Sequence, residues 1–229
     1  MYNLPLIWII FGIFALLSWL VSTQLRSKFK KFSEIPVNYG FTGRDIAEKM
    51  LSDNGIYEVK VQSVEGELTD HYNPANKTVN LSRAVYYGNS VAAAAVATHE
   101  CGHAVQHARA YAWLVMRSSL VPVVSFASQW IQWVLLAGII LLNSFPQLLL
   151  LGIVLFGMTT LFSFITLPVE INASQRALAW LTHAGITTHS TYPKAQSALK
   201  WAAYTYVIAA LSSLATLVYY LMIYLGRRD

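Results

Sequence analysis

Residues Thr98–His107 read THECGHAVQH and gather three of the six histidines, a glutamate and the only cysteine of this 229-residue chain. His99 and His103 are four apart, so on an α-helix they lie one turn apart on one face and both imidazoles can reach one ion. Glu100 stands about 100° around the helix from His99. A carboxylate there takes a proton from an attacking water instead of binding the ion, which is the chemistry of the HExxH zinc-peptidase pattern. The segment before it, VAAAAVA at residues 91–97, strongly favours a helix. Unpaired His and Glu in so apolar a helix are costly, which favours a metal site over incidental polar residues.

A catalytic zinc site needs a third protein ligand and an open position for water. In the HExxHxxGxxH pattern the third histidine would fall where this chain has Arg109. His107 is one further turn along and rotates off the ligand face, so it reads as a supporting or structural residue. Glu170 is the better candidate. Apart from Glu100, no carboxylate lies between Asp70 and Asp229 except this one. A two-His, one-Glu set with a distant glutamate is an established peptidase arrangement. Cys101 reads as a small packing residue. Gly102, costly in mid-helix, would admit another segment close to the metal. Arg176, His183, His189 and Tyr192 are candidates for the donor that an oxyanion needs besides zinc.

These residues are carried by a chain that is 55% apolar and only 12% charged, against about 25% charged in an ordinary soluble domain. Its net charge of +5 is not laid out as a basic stripe with aromatic platforms, which excludes a nucleic-acid partner. The apolar residues concentrate in runs at 4–21, 120–142, 148–167 and 203–225, each about long enough to span a bilayer. The expected fold is therefore mainly α and integral to the membrane, with about four transmembrane helices and a small α+β zincin-like catalytic domain made of the HExxH helix plus a short β-hairpin. Its segments are a transmembrane helix at 1–22, a soluble catalytic segment at 23–118, a transmembrane hairpin at 119–168, a second catalytic segment with the third ligand at 169–202, and a final transmembrane helix and tail at 203–229.

Within the soluble part, Thr42 and Asp45 suggest a capping box for a helix stopped by Asn54-Gly55. YEVKVQSV, residues 57–64, alternates like a strand, and KTVNLS, residues 77–82, is a second candidate. LTDHYNPAN between them reads as a turn. The TVNLS strand, if at an exposed edge, would pair with an extended peptide. The helix beginning at Val91, with Ser90 as N-cap, is expected to run toward Arg117. Residues 23–117 hold eleven of the 16 lysines and arginines, 169–200 hold three and the tail two. With four spans, both catalytic segments share one side, which the positive-inside rule makes cytoplasmic.

VAxHExGHAxQH, the LTDHYNP turn and the PVExxASxRA segment at 168–177 together resemble the YugP-type membrane zinc metallopeptidases. The arrangement is also similar to the HtpX and CAAX prenyl protease group, in which the third ligand is a glutamate after a membrane hairpin. The resemblance covers most of the chain. It implies a Zn2+ endopeptidase of the bacterial plasma membrane, acting on peptide or protein substrates, with His99, His103 and Glu170 as ligands and Glu100 as general base. Two positions depart from the pattern. Ser174 stands where the HtpX-like group carries an aspartate, and Asn172 where closer members often carry an acidic residue. A carboxylate that orients a zinc histidine must then come from elsewhere, with Asp70 the candidate. The competing reading is a non-enzymatic membrane scaffold with a structural zinc. Structural sites usually hold four Cys or His ligands and have no use for Glu100.

Overall fold

The computed structural model of the chain describes residues 4–226. Four of its helices are long and apolar enough to cross a membrane. These are α1 (Leu4–Ser33), α5 (Ala112–Ile140), α6 (Pro146–His183) and α7 (Tyr192–Leu225). Each outlasts the apolar run that announces it. α1, for example, continues through the basic segment to Ser33, where Lys30 and Lys31 face the negative end of the helix dipole.

The chain divides into two compact units. One consists of residues up to Leu20, Met116–Leu167 and Thr205 onward. Its interior is small, built from Leu135, Leu142, Leu149, Ile153, Tyr219 and Ile223. Much of its outer surface is apolar, with Trp8, Phe11, Trp130, Trp133 and Ile140 all exposed. Helices with so little apolar burial against protein need another apolar solvent, which lipid supplies.

The second unit comprises Val21–Val115 and Pro168–Tyr204. Helix α2 (Gly43–Asp53) opens with the capping box: the Asp45 N–H donates to Thr42 Oγ1, and the Thr42 N–H donates to Asp45 Oδ2 at 2.9 Å. It buries Ile46, Ala47, Met50 and Leu51. Three strands follow, β1 (Lys60–Val64), β2 (His71–Asn73) and β3 (Thr78–Ser82), in the order β1-β3-β2. β1 runs parallel to β3 and β2 antiparallel to it. After the single turn α3 (Arg83–Tyr86) comes α4 (Val91–Ala108), N-capped by Ser90, which accepts from the Ala93 N–H. Fourteen residues of α4 are buried, on every side of the helix. The alanines make this work, because small side chains let neighbours approach on several faces at once. Ala177, Trp180, Leu181, Ile186 and Ala195 complete the core around it.

Four expectations are corrected here. The segment LTDHYNPAN is not only a turn: its Asp, Asn and Pro content conceals β2, and the turn proper is confined to residues 74–77. The two foreseen strands do not pair as a hairpin, because β2 inserts beside β3 and leaves β1 parallel to it. β3 is central and buried at all five positions, so TVNLS is not an edge for a peptide. Finally, α4 stops at Ala108 instead of running toward Arg117, with Ala110 at φ 47° breaking the helix before α5 begins.

Candidate metal and catalytic site

His99 and His103 project from α4 toward Glu170 on α6, and one ligand atom from each lies within 4.8 Å of the others. His99 Nε2 is 3.2 Å and His103 Nε2 3.5 Å from Glu170 Oε2. Glu170 is only 3% exposed. A buried carboxylate facing two imidazole nitrogens is a costly arrangement for a fold to maintain without a ligand. The donors fit zinc: two nitrogens and one oxygen, all able to present lone pairs to one point. The close approach of α6 to α4 depends on Gly102. A Cβ at that position would stand 2.7 Å from the Ala173 carbonyl oxygen.

The far nitrogens of both histidines are held. His99 Nδ1 is 3.1 Å from Ser174 Oγ. His103 Nδ1 is 3.0 Å from Gln106 Oε1. Gln106 Nε2 donates to the Val169 carbonyl at 2.8 Å, which fixes which end of the amide faces His103. An amide oxygen only accepts, so His103 Nδ1 carries the proton and Nε2 is left with its lone pair toward the site.

Glu100 stands apart from this set. Its Oε2 accepts the Tyr72 backbone N–H at 3.0 Å, so β2 orients it from the sheet side. The Tyr72 hydroxyl in turn lies 2.8 Å from His107 Nδ1.

The family described as "Putative neutral zinc metallopeptidase" matches residues 7–225. The chain belongs to this family. It is also 44% identical to a Bacillus subtilis (strain 168) protein named "Putative membrane protease YugP", over 93% of this chain and 94% of the other. No solved structure matches it.

In this metallopeptidase-family chain the three expected ligand residues come together, and His107 lies outside them, against Tyr72. Asp70 does not face His99 or His103. Its carboxylate accepts the Ser82 N–H at 2.7 Å and the Ser82 hydroxyl at 3.1 Å, closing the β2–β3 end. The expected carboxylate beside a histidine is therefore replaced by a serine and a glutamine. Ser174 departs from the acidic pattern yet still faces His99. Gln106 escaped the sequence reading, although it lies three residues from His103 on the same helix and that spacing was a usable signal. Of the oxyanion candidates, Arg176 Nε donates to Asn172 Oδ1 at 2.7 Å, while His183 and His189 are exposed.

Burial penalises a charge on His103, but the hydrogen bond to Glu170 and the nearby charges of Glu100 and Glu170 outweigh it and raise its pKa. Burial likewise raises Asp70, against the Ser82 hydrogen bonds. The Cys101 thiol is pushed well up by burial and faces the Ala47 carbonyl, so it is an inert packing group.

Proposed function

We propose that the chain is a zinc-dependent endopeptidase, with His99, His103 and Glu170 holding the metal and Glu100 acting as general base. The helix-and-sheet unit is then a zincin-like catalytic domain on the cytoplasmic side of a bacterial plasma membrane. The observation that carries this reading is the separation of roles. Three donors converge, while a second carboxylate, that of Glu100, turns its Oε2 to the Tyr72 backbone N–H instead.

Zinc held there would supply Lewis acidity for the scissile carbonyl and for the attacking water. Glu100 has one oxygen engaged by Tyr72 and the other free to accept the water's proton. As the carbon–oxygen bond forms and the carbon–nitrogen bond breaks, Glu100 passes that proton to the leaving amine. Ser174 and Gln106 keep both imidazoles from turning during these steps. A catalytic unit joined through its own helices to apolar spans suits substrates that are loops or tails of membrane proteins, or misfolded chains at the bilayer.

The test is Glu100→Gln in purified full-length protein. The amide oxygen still accepts from Tyr72, so folding and metal content are expected to match wild type. Hydrolysis of an unfolded protein substrate is expected to fall about 10²–10⁴-fold. A Glu100→Gln protein that cleaves like wild type would refute the assignment.

A further inference from the structure

Gln106 is fully buried, and its amide makes three contacts that no single local role explains. Oε1 faces His103 Nδ1 at 3.0 Å. Nε2 donates to the Val169 carbonyl at 2.8 Å and to Asn172 Oδ1 at 3.0 Å. Val169 and Asn172 flank Glu170 on α6. Asn172 is itself pinned from the other side by Arg176, whose guanidinium lies over the Tyr111 ring at 5.9 Å. One side chain thus touches a ligand histidine on α4 and both sides of the ligand glutamate on α6.

We infer that Gln106 is a positioning residue that sets the rotation of His103 and its register against Glu170, so that metal affinity depends on a side chain outside the donor set. The inference rests on the zinc reading of this site. Three features separate it from ordinary core packing. The amide is saturated, with both N–H groups and the carbonyl engaged. Its orientation is forced by a backbone carbonyl and does not depend on the metal. It bridges the two elements that bring the ligands together. A buried amide is an expensive way to fill space, because every polar atom must find a partner. The same volume of methionine would pack without that requirement.

The probe is Co2+ added to metal-free, full-length protein in detergent. Affinity and the visible ligand-field spectrum are read for wild type, Gln106→Met, Gln106→Glu and Asn172→Ala. Wild type is expected to bind one Co2+. Gln106→Met keeps the volume but lets His103 turn, and it is expected to bind about 10–100-fold more weakly with an altered spectrum. Gln106→Glu keeps an acceptor for His103 Nδ1 but loses both donors to α6, so it is expected to bind with an affinity between wild type and Gln106→Met and to keep the wild-type spectrum. Asn172→Ala, less buried and milder, is expected to weaken binding a few-fold in the same direction and covers the case in which Gln106→Met does not fold. Wild-type affinity and spectrum in both Gln106→Met and Asn172→Ala would overturn the inference. Equal losses in Gln106→Met and Gln106→Glu, with an unchanged spectrum and lowered melting temperature, would also overturn it, by showing a packing role. Wild type that binds neither Co2+ nor Zn2+ would instead sink the metal reading beneath it.

Discussion

Replacing Gly102 by alanine sets two effects of known size against each other. In mid-helix the change favours folding by about 1 kcal/mol through helix propensity. Against it stands the contact with α6. The added Cβ would meet the Ala173 oxygen at 2.7 Å, its Cα at 3.1 Å and its carbonyl carbon at 3.2 Å. All three are backbone atoms, so none can rotate away, and α6 must retreat from 2.7 Å to at least 3.0 Å. Forced overpacking of this kind costs about 1–3 kcal/mol. The net expectation is a loss of stability of roughly 0–2 kcal/mol. The functional effect is larger in consequence, because Glu170 lies one turn from Ala173 on the same helix and moves with it. A Zn2+ affinity about tenfold weaker corresponds to about 1.4 kcal/mol. Thermal unfolding of the metal-free protein in detergent reads the first effect. Competition with a chromophoric zinc chelator reads the second. A Gly102→Ala protein that melts higher than wild type and binds zinc equally well would refute the reasoning, because propensity would then be the whole effect and α6 would not be seated against α4 at this point.

Other perturbations separate the remaining roles. Glu170→Ala is expected to lose stoichiometric zinc, whereas His107→Ala keeps it and loses only the contact with Tyr72, as elemental analysis of the purified proteins would show; zinc that follows His107 instead would reverse the ligand assignment. Zinc must displace the proton that His103 holds above the ordinary imidazole value of 6.5, so affinity should decline as pH falls, beginning above that value. Calorimetric titration in buffers of differing ionisation enthalpy would register the released proton, and pH-independent binding between 6 and 8, roughly the window in which histidines titrate, would contradict it. Cys101 is buried and unreactive, so a Tyr57→Cys protein, with the new thiol at a side chain that is 79% exposed, reports sidedness over a silent background. It should react with an impermeant maleimide in inside-out vesicles and not in intact spheroplasts; the opposite pattern would place the second unit outside the cytoplasm.

What was legible in the sequence follows the range of the interactions concerned. The placement of His99 and His103 on one face needs only helical geometry, and Glu170 stood out because acidic residues are so scarce downstream of Asp70. The capping box at Thr42 and Asp45 is equally local, and it forms as its spacing suggests. The sheet was harder because pairing is non-local. TVNLS alternates polar and apolar like a half-exposed strand although all five residues of β3 are buried, so its central place is hidden, and β2 is three residues long inside a segment whose composition favours turns. The orientation of the two histidines was hidden for a further reason. The sequence pattern pointed to a missing carboxylate at Ser174 and Asn172, but a histidine Nδ1–H needs an acceptor and not a charge. A serine on α6 supplies one for His99 and a glutamine on α4 the other for His103. With neutral acceptors on the histidines, Glu170 and Glu100 are the two carboxylates beside them, and Asp70 is turned to Ser82. Each further carboxylate would have added like charge to a buried cluster and made Glu170 harder to keep ionised. Ser174 and Gln106 therefore hold the two histidines by hydrogen bonds alone, and Asn172 acts one step back, through Gln106.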